Sequence, residues 1–180
     1  MKGVVFTEFL EMVEDNYGFE IADEIVTQAD LPSGGIYSAV GTYPHTEMVA
    51  LLTQLSKQID TPVPTLLQTY GKHLFGAFTR GYAHFFERAS SAFDFLGQIE
   101  NHIHVEVLKL YPDAELPRFD IEQTDPKTLI MEYRSERGLA DLAEGLIRSA
   151  IAYYQENITV GRQNIQPNFS HVIFTLTQQD

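Results

Sequence analysis

Apolar residues recur at helical spacing through the first 60 positions of the chain. Val5, Phe6, Phe9, Leu10 and Val13 form one stripe within residues 3–17, and Gly18 ends it. Phe19 to about Gln28 predicts a second short helix, and LPSGG at 31–35 is a turn-rich connector. His45-Thr46-Glu47 leads into Met48, Val49, Leu51, Leu52 and Leu55, a third amphipathic segment. TPVPT at 61–65 breaks the pattern, with Thr65 placed to cap a helix that carries Leu66, Leu67, Tyr70, Leu74 and Phe78. Beyond Pro112 the period changes. Lys127–Tyr133, Asn157–Gly161 and His171–Thr177 read as strands, and Leu139–Tyr154 as an amphipathic helix between the first two. The expected fold is α+β: a helical N-terminal half, then a C-terminal half built on a small antiparallel sheet. At 180 residues the chain is expected to form one domain, with a helical lobe over about 1–60 and a mixed lobe over about 61–180.

The stretch IENHIHVEVLKLYP (99–112) admits two readings. As a strand it would turn His102, His104 and Glu106 to one face, able to share a divalent metal. As a helix it carries Leu96, Ile99, Ile103, Val107 and Leu110 on a continuous apolar stripe that Pro112 stops. The helical reading is the stronger. Residues two apart on a helix point about 200° from each other, so the two histidines could not share an ion. His102 then falls on a polar face with Gln98, Glu106 and Lys109. His104 falls beside Val107, Leu108 and Tyr111, with Gly97 leaving a gap two turns earlier. A lone histidine on an apolar face is ordinarily a packed residue bonded to a carbonyl. The alternative is a single axial ligand to a flat, apolar cofactor such as haem.

LIMEYRSERG (129–138) supplies a second signal. In extended backbone Tyr133, Ser135 and Arg137 share a face, while Arg134 and Glu136 take the other. A phenol, a hydroxyl and a guanidinium together suit one or two carboxylates. On a solvated strand edge the same trio would carry no function.

Composition narrows the partners. Twelve basic residues against 25 acidic ones give a formal charge of −13, which would repel nucleic acid and anionic lipid. There is no cysteine, so thiolate-bound zinc and iron–sulfur clusters are excluded. The opening MKGVVFTEFLEMVEDNYG lacks a basic segment followed by an unbroken apolar run, and no later stretch is long and apolar enough to span a bilayer. A cytoplasmic location without membrane contact is expected.

Taken together, His104, the LPRF that follows it, Y-x-S-x-R at 133–137, the opening MKG, the Gly71 region and AEGL at 143–146 resemble the H-NOX (haem–nitric oxide/oxygen binding) domains. These occur as stand-alone bacterial sensors and in soluble guanylate cyclase. The resemblance runs the whole length of the chain. It implies haem b between the two lobes, with His104 as axial iron ligand, Pro117 pressing on the haem, and Tyr133, Ser135 and Arg137 on its propionates. It places Val5, Phe9, Leu74, Phe78, Leu142 and Leu146 around the cofactor. Relatives that bind dioxygen carry a distal tyrosine where this chain has Leu142; Phe9 and Leu74 stand at two further distal positions. The cysteines that hold zinc in some relatives are absent. The expectation is a non-enzymatic sensor that binds nitric oxide and carbon monoxide, excludes dioxygen, and regulates a separate histidine kinase or cyclic-di-GMP enzyme. The alternatives are a non-haem metalloenzyme using His102, His104 and Glu106, and a haem-free scaffold or haem carrier.

Overall fold

The computed structural model describes all 180 residues. Four helices come first: α1 (Gly3–Tyr17), α2 (Phe19–Gln28), α3 (His45–Ile59) and α4 (Val63–Gly81). Two short helices follow, α5 (Ala83–Glu87) and α6 (Ala92–Gly97). A π-turn (Ile99–Ile103) then runs into α7 (His104–Leu110). The remainder is β1 (Arg118–Asp125), β2 (Thr128–Arg134), α8 (Ala140–Tyr153), β3 (Ile158–Asn164) and β4 (His171–Gln178). The four strands form one antiparallel sheet in the order β1-β2-β4-β3. The fold is α+β with a helical N-terminal half, as the periodicity implied.

Gly18 ends α1 with φ +90°, a conformation that L side chains rarely adopt. The break at TPVPT lies elsewhere than expected. α4 begins at Val63 with Pro64 in its first turn, so Thr65 is inside the helix and does not cap it. Proline is tolerated there because the first-turn N–H groups have no partner within the helix, and its fixed φ suits helical entry. The strand reading of 99–110 is not what folds, since the whole stretch is helical. Nor is it one regular helix. The π-turn interrupts it, with Gln98 O accepting from both His102 N (2.9 Å) and Ile103 N (3.1 Å). β1, α5 and α6 have no counterpart in the sequence-derived outline.

Two apolar cores meet within α4. Leu66, Leu67, Tyr70 and Leu74 join Phe6, Phe9, Met12, Leu51, Leu52 and Leu55 in the first. Phe75 joins Phe86, Phe95, Leu96 and the inward residues of the sheet in the second. Strand alternation explains the sheet's part. Leu129, Met131 and Tyr133 of β2 are buried, as are Val172, Phe174 and Leu176 of β4, while their neighbours face outward.

α4 and α8 are the most intimately packed helix pair. A Cβ on Gly71 would come within 2.8 Å of Leu142 O and of Gly145 Cα. One on Gly145 would lie 2.5 Å from Gln68 O. Only glycine permits this approach. Gly145→Val should therefore lower stability by about 1–3 kcal/mol, the usual cost of overpacking. Chemical denaturation checks it, and an unchanged unfolding midpoint would show that the two helices can separate freely.

Candidate functional site

Between the two cores lies a cavity of about 300 Å³, within the size range of small-ligand sites. It is lined by 31 residues, 25 of them hydrophobic, so its occupant must be largely apolar. α1 contributes Val4 and Val5, α4 contributes Leu74, Phe75 and Phe78, and α8 contributes Leu142, Ala143, Leu146 and Ile147. The π-turn and α7 supply Ile99, Ile103, His104, Val107 and Leu110, and the segment that follows supplies Tyr111 and Pro117.

His104 is the one imidazole on this wall, and its side chain is only 15% exposed. Its Nδ1 lies 3.2 Å from Glu100 Oε2. A carboxylate only accepts, so Nδ1 carries the hydrogen and Nε2 keeps its lone pair. Burial holds the His104 pKa below the usual histidine value, with Glu100 pulling the other way. A metal-binding imidazole must be neutral, and this environment favours that form.

The polar end of the cavity is built by a turn. Tyr133 points inward from the last inward position of β2, its ring 5.6 Å from that of Phe119. Burial pushes its phenol pKa up. The chain then leaves the strand, so the extended alternation expected through Arg137 does not hold. Ser135 N donates to Ser170 O at 2.8 Å, and Gly138 N returns to Ser135 O at 3.2 Å. Gly138 has φ +63°, and a Cβ there would meet Asn168 O at 2.4 Å. The turn nonetheless keeps Ser135 and Arg137 on the cavity wall beside Tyr133. The Arg137 guanidinium donates to Glu115 Oε2 at 2.9 Å, and this pairing holds the Glu115 carboxyl below its usual range.

Every site residue named for the haem reading lines the cavity except Phe9. That ring is fully buried behind the wall, packed edge-on against Tyr70 at 5.3 Å. The Tyr70 hydroxyl is engaged in a 2.5 Å bond to Val5 O. Neither Gly97 nor Leu108 borders the cavity, and Leu108 is 41% exposed. His102, His104 and Glu106 are not brought together as metal ligands. The group close enough to share an ion is Glu8, Glu11 and His73, across α1 and α4. Sequence reasoning missed the aromatic wall of Tyr82, Phe85, Phe86, Phe95 and Phe119. The run HFFERASSAFDF was the available signal for Phe85, Phe86 and Phe95.

The Haem-NO-binding family model matches residues 2–162. An H-NOX protein from K. algicida in the Fe(II) unliganded state is 38% identical with a TM-score of 0.95, covering 100% of this chain and 97% of that one. An H-NOX from Shewanella woodyi, solved with IWP-051 bound in the Fe(II)CO ligation state, is 37% identical with a TM-score of 0.85, covering 99% and 95%. An H-NOX from S. oneidensis in the Fe(II)NO ligation state shares the fold at 22% identity, with a TM-score of 0.91 and full coverage of both chains. No curated protein matches the chain. The fold and the family match agree: this chain belongs to the H-NOX family, whose members are haem-binding sensor domains.

The residues present fit haem. The cavity is apolar around a single imidazole whose burial favours the neutral form, and three side chains able to donate to carboxylates sit at its edge. Because Glu115 is largely exposed, its bond to Arg137 contributes little to stability. Glu115→Gln should leave the unfolding midpoint unchanged and free Arg137 for a carboxylate of the cofactor, so haem retention should hold or improve. Faster haem loss in a transfer assay would mean that Glu115 helps to hold the cofactor.

Proposed function

We propose that residues 1–180 act as one haem-binding domain that senses nitric oxide, with haem b as its cofactor. The observation that carries the reading is His104, the sole imidazole on an apolar cavity, tied at Nδ1 and open at Nε2. In this reading His104 would hold the iron through Nε2. Tyr133, Ser135 and Arg137 would hold the propionates, and Pro117 would bear on the ring. When bound, haem supplies an iron site for a diatomic ligand.

Selectivity follows from what the distal wall lacks. Val5, Leu74, Phe78, Leu142 and Leu146 carry no hydrogen-bond donor in their side chains. Dioxygen as a ligand draws partial negative charge and depends on a distal donor. Nitric oxide and carbon monoxide depend on one much less, so a wall of this kind discriminates against the more abundant gas. Tyr70, a candidate donor on α4, is already bonded to Val5 O and does not border the cavity. Release of His104 would uncouple α7 from the cavity and let the Pro117 segment and β1 shift, giving ligand binding a structural output. The receiver is a separate signalling protein, a histidine kinase or a cyclic-di-GMP enzyme in the family resemblance. No helix is long and apolar enough to cross a membrane.

His104→Gly should abolish haem retention unless imidazole is supplied, while His102→Ala should leave the visible spectrum nearly unchanged. The reverse outcome would assign the iron to His102 and sink the site as described. Gas selectivity is tested separately. The reduced protein should give the same spectrum under air as under argon over the time before oxidation, and should shift on adding nitric oxide or carbon monoxide. A stable air-dependent spectrum would identify a donor on the wall. Tyr82, which borders the cavity one turn beyond Phe78, would then be the first phenol to replace.

A further inference from the structure

The bond between Glu100 and His104 does more than pack the helix. We infer that Glu100 is a positioning residue that sets how strongly His104 holds iron, and so how readily that bond is given up when a gas binds. The inference rests on the haem-sensor reading above.

Glu100 lies within the π-turn, four residues before His104. Its Oε2 receives two donors: His104 Nδ1 at 3.2 Å and the backbone N–H of Phe119 at 3.1 Å. The carboxylate is therefore anchored from a second element and cannot simply swing away with the imidazole. No lysine or arginine pairs with it, so its negative charge is directed at the ring and at one amide. A histidine that donates one N–H to a carboxylate has a fixed tautomer, and its other nitrogen becomes a stronger base and a stronger metal ligand. Here that other nitrogen is Nε2, on the ring that borders the cavity.

The anchor also connects the ligand to the part of the chain expected to move. Phe119 stands two residues after Pro117, at the start of β1. Its ring centroid is 6.1 Å from that of His104 and 5.6 Å from that of Tyr133. A shift of Pro117 carries the Phe119 amide with it and alters the hydrogen bond that holds Glu100. The strength of the iron–histidine bond and the position of the Pro117 segment are thus coupled through one carboxylate. In this chain the polarising group is part of the same helical run as the ligand but is tethered to β1, so a movement of either element changes the bond between them.

The test compares wild type with Glu100→Gln and Glu100→Ala in the purified haem-loaded protein. Resonance Raman should show the iron–histidine stretch of the reduced protein moving to lower frequency in both, further in Glu100→Ala. Haem affinity should fall by roughly 10–100-fold, as for other outer-shell partners of metal-binding histidines. An unshifted stretch in both variants would overturn the inference. A second arm separates polarisation from general loosening. In His104→Gly, imidazole can donate an N–H to Glu100 but 1-methylimidazole cannot. Imidazole should therefore be preferred over 1-methylimidazole with Glu100 present, and the preference should vanish in His104→Gly/Glu100→Ala. The same preference in both backgrounds would overturn the proposal. A wild-type protein that holds no haem would instead defeat the sensor reading itself, and this inference with it.

Discussion

The close approach of α4 to α8 at Gly71 and Gly145 is the constraint on which the rest of the structure depends. It brings two helices from opposite halves of the chain into near-backbone contact, where a Cβ would clash with Leu142 O or Gln68 O. With that contact fixed, Leu74 and Phe78 on one helix and Leu142 and Leu146 on the other must border a common space. The two apolar cores divide along the same helix, between Leu74 and Phe75. A cavity at the seam between two cores can change shape when one core moves against the other, without either being disrupted.

The cavity's chemistry is distributed across elements that differ in character. Its apolar wall stands on long helices, which hold it rigidly. Its two polar features stand on irregular backbone: His104 directly follows a π-turn, and Ser135 and Arg137 lie in a tight turn after β2. π-turns recur at functional sites because the extra residue per turn re-aims the side chains beside it. The cation of the second feature is held by an exposed carboxylate, Glu115, a partner cheaply exchanged for another carboxylate. Rigid exclusion of water and polar groups that can be re-partnered is a workable division for a domain that must both retain a cofactor and respond to it.

Much of this was readable from the residues, and the omissions have physical causes. His104 was placed on the buried side by the stripe from Leu96 to Leu110, all five members of which border the cavity. The π-turn was invisible, because i→i+4 and i→i+5 bonding leave the same apolar spacing over so short a run. β1 was missed because RFDIEQTD buries little beyond Phe119 and has the polarity of an edge strand. α5 and α6 are too short for periodicity to register, and they are held by contacts such as Phe86 stacked on Phe95 at 4.8 Å. Phe9 shows a different limit: a helical stripe says that a residue points inward, not which of two apolar spaces it enters. β2 stops at Arg134, and the turn that Gly138 closes onto Ser135 replaces the strand alternation that the Y-x-S-x-R spacing suggested. Even so, the turn keeps the three residues on one wall of the cavity, by a geometry other than the one the spacing implied.

The central claim is that this cavity holds haem through His104. The most direct measurement is the visible absorption spectrum of the purified wild-type protein, reduced under argon, together with its iron content. The account predicts one haem per chain, with the spectrum of a reduced haem held by a single axial histidine. A colourless protein that stays colourless after incubation with haem would contradict it.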